Sequence, residues 1–129
     1  MKILFIAPLP PPITGHSIVS KALADGLRKI HFTDVVNLSK DSFQEGVDGV
    51  KRIIRVGKLL MEVKQKSNNS DVVYFTISES FAGNIKDLLI YFICRKILHK
   101  TVIHLHGGSI KRLLWDKHRM IFSINKYFH

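Results

Sequence analysis

Short, almost wholly apolar runs alternate along the chain with longer stretches in which apolar residues recur at helical spacing. KILFIA (Lys2 to Ala7) has no polar alternation, the pattern of a strand buried on both faces. It stops at Pro8. From Ser17, the spacing of Ile18, Leu23, Leu27 and Ile30 predicts an amphipathic helix on that stripe, with Ser17 as N-cap candidate. DVVNL (Asp34 to Leu38) reads as a second strand, followed by a polar loop, SKDSFQEG. From Val47, the positions Val50, Ile53, Ile54, Leu60, Met61 and Val63 predict a long helix. Lys51, Arg52, Arg55, Lys58 and Lys66 lie mainly off that stripe and give it a basic outer side; SNNS ends it. DVVYFTI (Asp71 to Ile77) is the third strand. SES opens a helix whose expected buried side is Phe81, Ile85, Leu88, Leu89, Phe92 and Ile93. TVIHLH (Thr101 to His106) is the fourth strand, broken by Gly107 and Gly108. A basic segment, KRLLWDKHR, and a closing helix over MIFSINKYF follow.

The order is therefore β-α-β-α-β-α-β-α. Strands without polar alternation, separated by helices, imply an α/β fold: a parallel sheet with helices on both faces. Right-handed crossovers then make it Rossmann-like. No internal repeat, low-complexity tract or linker interrupts the 129 residues, so the chain is one domain or part of one.

In such sheets ligands bind beyond the carboxyl ends of the strands. Three of the four predicted strands carry distinctive chemistry there. The first runs into PLPPPITGHS, with a proline run before Gly15 and His16. The third ends at Thr76, Ser78 and Glu79. The fourth ends at His104, His106, Gly107, Gly108 and Ser109. The first loop lacks both G-x-G-x-x-G and the GK[ST] ending of a P-loop. A single glycine before a helix still lets main-chain N–H groups approach a phosphate. The plainer alternative is that Gly15 completes a turn after the prolines.

Strand alternation puts His104 and His106 on one face. A shared metal would need a third ligand, and none is in sight. His104, inside the strand, reads as a hydrogen-bonded core residue. His106, at the strand end, is placed either to meet a substrate or to do nothing chemical. Glu79 and Asp116 form no evident acid–base pair; Glu79 suits a first helical turn. Cys94, in an apolar helix, reads as inert core, and Trp115 as a packing residue.

Composition narrows the picture. The chain is 46% hydrophobic, enough for a packed core. Its single cysteine, Cys94, excludes a disulfide framework and suits a reducing compartment. The opening apolar run is too short and lacks the cleavage site of a signal peptide. LLIYFIC (Leu88 to Cys94) is far short of the ~20 residues of a membrane span. A cytoplasmic protein is expected. The formal charge of +10 suits phosphorylated ligands, anionic lipid head groups or nucleic acid. No nucleic-acid-binding motif or aromatic stacking platform accompanies it, so nucleic acid is not the expected partner.

An apolar first strand leading into P-x-PP-x-x-G and a helix, DVVYF as third strand, and HLHGGS ending the fourth together resemble a known family. It is the N-terminal domain of retaining GT-B-fold glycosyltransferases of the large family 4 type, many of which build bacterial polysaccharides and glycolipids. The similarity runs from Met1 through the predicted closing helix. It implies the N-terminal half of a GT-B architecture. The reaction implied moves a sugar from a nucleotide-sugar donor to a saccharide or lipid-linked acceptor, with retention and without a metal or other cofactor. By this resemblance Gly15, with His16 beside it, lies against the donor diphosphate. His106 is the active-site histidine, and Thr76, Ser78, Glu79, Gly107 and Gly108 are candidates for acceptor or sugar contacts. His16 occupies a place that often holds a second glycine. The family's donor-binding domain carries two glutamates separated by seven residues, whereas this sequence has only Glu45, Glu62 and Glu79. The expected entity is thus an incomplete acceptor-side domain, inactive alone, whose donor domain is missing or separately encoded. The basic helices fit work on an anionic membrane surface. The alternatives are a stand-alone module for a phosphorylated ligand or nucleic acid, and one half of a split enzyme.

Overall fold

The computed structural model describes residues 1–39, 49–78 and 81–105. The closing helix over MIFSINKYF lies outside them, as do His106, Gly107, Gly108, Glu79, Trp115 and Asp116. The described elements are β1 (Lys2–Ala7), α1 (Gly15–Arg28), β2 (Phe32–Asn37), α2 (Gly49–Ser67), β3 (Val72–Thr76), α3 (Phe81–Cys94), a short 3-10 segment (Arg95–Lys100) and β4 (Thr101–His104).

The four strands form one parallel sheet in the order β2-β1-β3-β4, a Rossmann-like α/β arrangement. β1 is central, which is why its sequence is apolar on both faces. Leu4 and Ile6 point to one side; Phe5 and Ala7 point to the other. The chain moves from β1 outward to β2, then crosses back over β1 to β3 and on to β4. With right-handed crossovers this reversal puts α1 on one face and α2 and α3 on the opposite one.

The larger core lies under α2 and α3. There Leu4, Ile6, Val36, Val73 and Phe75 from the strands meet Val63 of α2 and Ile90, Tyr91 and Cys94 of α3. The rings of Phe75 and Tyr91 meet edge to face, 5.3 Å between centroids. On the α1 face, Phe5 and Tyr74 stack with ring centroids 4.6 Å apart, and Ala24 packs against that cluster. At the strands' amino ends, Lys2 N–H donates to Asp71 Oδ2 (2.7 Å) and Asp71 N–H to the Lys2 carbonyl (2.8 Å). This fixes where β3 begins.

Each described helix buries only part of its expected stripe: Leu27 on α1, Leu60 and Val63 on α2, and Leu88 and Ile93 on α3 pack inward as expected, and the other described members of the stripes do not. α1 lies on the sheet through Ser17, Ser20 and Ala24, whereas Ile18 and Leu23 are exposed. Small residues on the contact side bring the helix close over the stacked rings. The cap is Thr14 rather than Ser17. Ser17 N–H donates to Thr14 Oγ1 (3.0 Å), and Thr14 N–H donates to Ser17 Oγ (2.8 Å), a reciprocal capping box. α2 buries Val63 and packs Leu59 and Leu60 inward, but its outer side carries Val50, Ile53, Ile54 and Met61, all exposed, as well as cations. α3 buries Asn84 and Asp87 with Ile90 and Tyr91, and exposes Ile85, Leu89 and Phe92. β4 is an edge strand ending at His104, and its Val102 is 53% exposed. No helix among the described residues is long and apolar enough to cross a membrane.

Candidate functional site

The carboxyl edge of the sheet is assembled from three loops that hold one another. Asn37, the last residue of β2, is the link between the first two. Its Oδ1 accepts the N–H groups of Leu9 and Ser39, both at 2.8 Å. Leu38 N–H donates to the Ala7 carbonyl (3.0 Å). Thus the loop after β1 and the loop after β2 leave the sheet as a tied pair. Thr76, at the end of β3, is buried, and its hydroxyl donates to the Ile6 carbonyl (3.1 Å). It belongs to the interior of the sheet and splices β3 to β1. Ile77 N–H reaches the His104 carbonyl at 3.4 Å and joins β3 to β4.

The proline loop is fastened at its far end by Ser17. Its hydroxyl lies 2.8 Å from the Pro12 carbonyl oxygen and 3.0 Å from that of Thr14. The Pro10–Pro11 and Pro11–Pro12 peptide bonds are cis. Gly15 and His16 then open α1, where main-chain N–H groups and the helix dipole present positive charge. A Cβ built on Gly15 would meet no atom within 4 Å, and its backbone is not left-handed. Nothing inside the described chain requires glycine there. His16 is partly buried.

Ser78 is held from below by α3. Its N–H donates to Asp87 Oδ2 (2.6 Å), and its hydroxyl lies 3.4 Å from Asp87 Oδ1. Asp87 is fully buried. Desolvation pushes its carboxyl above the usual range, while the Lys86 charge and the Ser78 hydrogen bonds oppose that rise. Lys86 Nζ lies 3.7 Å from Asp87 Oδ1 and 3.5 Å from Ser78 Oγ, with its side chain 11% exposed. Beside this group is a cleft of about 120 Å³, with Asn37, Ser39, Arg55 and Lys86 on its polar side and Val56 and Leu59 on its apolar side. It fits a phosphate-sized group; sites that enclose a whole small-molecule ligand run to roughly 300–1,000 Å³.

On the α1 face, the Tyr74 hydroxyl and His104 Nδ1 are hydrogen-bonded, and the two rings meet edge-on at 5.8 Å. Burial raises the Tyr74 pKa. Among the described residues no group of three side chains is placed to hold a metal ion.

The structure therefore brings Gly15, His16 and Ser78 to one edge and puts Thr76 inside the sheet. His106, Gly107, Gly108 and Glu79 are not among the described residues. Sequence reasoning passed over Asn37, Arg55, Lys86 and Asp87. Asn37 stands at a strand end and was within reach of the strand-end rule. A Lys-Asp pair inside the largely apolar FAGNIKDLLIYFIC was a second signal. Arg55 had none, because only the packing of α2 beside β2 puts it at the cleft. No family model matches the chain, and no curated protein or solved structure is found to be similar to it.

Proposed function

We propose that this chain is the acceptor-side, N-terminal part of a retaining glycosyltransferase of the GT-B type. In this reading a nucleotide sugar supplies the sugar, and a saccharide or lipid-linked molecule accepts it. One observation carries the proposal: Gly15 opens α1 with clear space where a Cβ would stand, at the same sheet edge as Ser78. A glycine with no packing reason to be glycine leaves its main chain open to a diphosphate.

The roles are those the family resemblance implies. The N–H groups of Gly15 and His16 meet the donor diphosphate. Ser78, tethered by Asp87, faces the bound sugars, and His106 acts beside the transferred sugar. The cleft at Arg55 and Lys86 is too small for a nucleotide. In the family it resembles a second domain binds the donor, and residues 1–129 alone are expected to be inactive.

Amide-resolved NMR titration with nucleoside-diphosphate sugars tests the reading. Millimolar ligand should move the Gly15 and His16 signals, and inorganic pyrophosphate should move the same ones. Unmoved signals at Gly15 and His16 would overturn it. A second reading, a stand-alone module for a phosphorylated ligand, is favoured by the Arg55–Lys86 cleft. It predicts that inorganic phosphate moves Ser39 and Lys86 and leaves Gly15 unchanged.

A further inference from the structure

The cleft of about 120 Å³ lies where the end of β2 meets α2 and α3. Three elements send polar side chains to it: Asn37 and Ser39 at the end of β2, Arg55 from α2 and Lys86 from α3. Leu59, one helical turn after Arg55, and Val56 form its apolar wall. Among the described residues no carboxylate lines it. Lys86, its side chain 11% exposed, brings a nearly buried positive charge, and Asp87 behind it is committed to the Ser78 N–H at 2.6 Å.

The polar wall consists almost wholly of donors. Asn37 Oδ1 already accepts the N–H groups of Leu9 and Ser39, so what Asn37 has left to offer is its Nδ2, a donor. Arginine and lysine side chains only donate. Ser39 brings the one hydroxyl. A neutral saccharide needs acceptors around it as well as donors; this wall suits an anion rich in oxygen. Three terminal oxygens that point apart suit donors arriving from three elements, whereas the two oxygens of a carboxylate lie in one plane. Val56 and Leu59 add room for a short carbon substituent beside the phosphate.

We propose that this cleft binds a small phosphate monoester, and that the bound ester braces the loops at the carboxyl edge of the sheet. Two of the four polar residues are also fasteners of those loops. Asn37 holds the N–H of Leu9, in the loop after β1. Lys86 Nζ lies 3.5 Å from the hydroxyl of Ser78, just after β3. An anion held by both fixes the Asn37 carboxamide and the Lys86 ammonium at once, and so ties the first loop to the third. The inference deepens the second reading above, on whose cleft it rests, and holds whether or not Gly15 also meets a diphosphate.

Amide-resolved NMR titration of the full chain with ethyl phosphate, inorganic phosphate and propionate, at fixed pH and ionic strength, tests it. Ethyl phosphate should move Ser39 and bind about fivefold tighter than inorganic phosphate, because its carbons cover Val56 and Leu59. It should bind about tenfold tighter than propionate. The Leu9 and Ser78 signals should move with the same midpoint as Ser39, while Asp71, at the opposite end of the sheet, stays still. Asn37→Asp keeps an acceptor for both N–H groups but replaces the donor with a charged oxygen. It should lower ethyl phosphate binding at least about tenfold while circular dichroism stays unchanged. If that variant does not fold, Arg55→Gln, at an exposed position, should lower binding about tenfold. Val56→Ser should erase the preference for ethyl phosphate over inorganic phosphate. Lys29→Gln removes an exposed positive charge just after α1 and should bind like the parent. The proposal fails if ethyl phosphate binds no tighter than inorganic phosphate or propionate, or if Leu9 and Ser78 stay still while Ser39 moves. It fails too if the folded cleft variant binds like the parent, or if Lys29→Gln loses as much. Where inorganic phosphate still moves Ser39 and Lys86, such a failure leaves the second reading standing; if no phosphate moves them, both fall.

Discussion

Asp87, fully buried in α3, accepts the main-chain N–H of Ser78 at 2.6 Å and so fixes where the chain leaves β3. The bond reaches from the side of a helix to the carboxyl edge of the sheet. It makes the position of Ser78 depend on a residue nine places later. Removing the acceptor leaves a partly buried N–H without its partner and a hole beneath it. Asp87→Ala should cost about 2–4 kcal/mol in urea denaturation.

The same carboxylate has a pH signature. Its folded-state pKa is raised by desolvation above the model-compound value of 3.8. Below that value both folded and unfolded states hold the proton, and the stabilising contribution is complete. As pH rises through the folded pKa, the unfolded state releases its proton more readily, and the contribution is lost. The stability of the parent relative to Asp87→Asn should therefore fall as pH climbs from below 3.8 and then level off. Denaturation of the pair across pH would show this, and a pH-independent difference would contradict it.

Gly15→Ala separates a binding role from a folding one. The added Cβ meets no atom, and the position is the first of a helix. Stability should be unchanged or rise by up to about 1 kcal/mol, because alanine lowers the entropy of the unfolded chain. If the glycine admits a diphosphate, nucleotide-sugar shifts at His16 should weaken in the same variant. Thermal denaturation and NMR titration of one sample read both effects.

Tyr74 bridges two strands in two ways, by its ring on Phe5 and by its hydroxyl on His104. Tyr74→Phe keeps the stack and removes the hydrogen bond, and should cost about 0.5–1.5 kcal/mol. Tyr74→Ala removes both and should cost about 3–5 kcal/mol. Nearly equal losses in chemical denaturation would mean that the hydroxyl, not the ring, dominates.

Cys94 is buried, and desolvation, partly offset by a hydrogen bond with Ser67, pushes its thiol up to about 11. At neutral pH the thiolate that reacts is scarce and enclosed. An aromatic disulfide reagent should label Cys94 only as fast as the protein opens. Labelling should accelerate sharply in denaturant.

How much was legible beforehand differs from element to element. β1 was bounded at Lys2 and Ala7 from its unbroken apolar run, as it is in the fold. α2 and β3 began and ended within two residues of their expected bounds. The hydrogen bond expected of His104 is present, with Tyr74 as its partner, but His104 ends the edge strand β4 and is only partly buried, not core. The strand-end rule led to Gly15 and Ser78. It could not lead to Asp87, whose role depends on a helix folding back under the strand it follows.

The sequence by itself determined the succession of strands and helices, because an unbroken apolar run and a 3.6-residue period are local properties of the chain. Only the tertiary structure decided which side of each helix is inside. Ile18 and Leu23 on α1 and Ile85 and Phe92 on α3 are more apolar than Ser17, Ser20, Asn84 and Asp87, which are buried, and Ile53 and Met61 on α2 are as apolar as Val63. A helix with apolar residues on more than one side carries no inward direction of its own. The sheet supplies it, through the order β2-β1-β3-β4 and the space its side chains leave. That choice tucked Asp87 beneath Ser78, set Arg55 and Lys86 at one cleft, and turned the apolar rows of α2 and α3 outward.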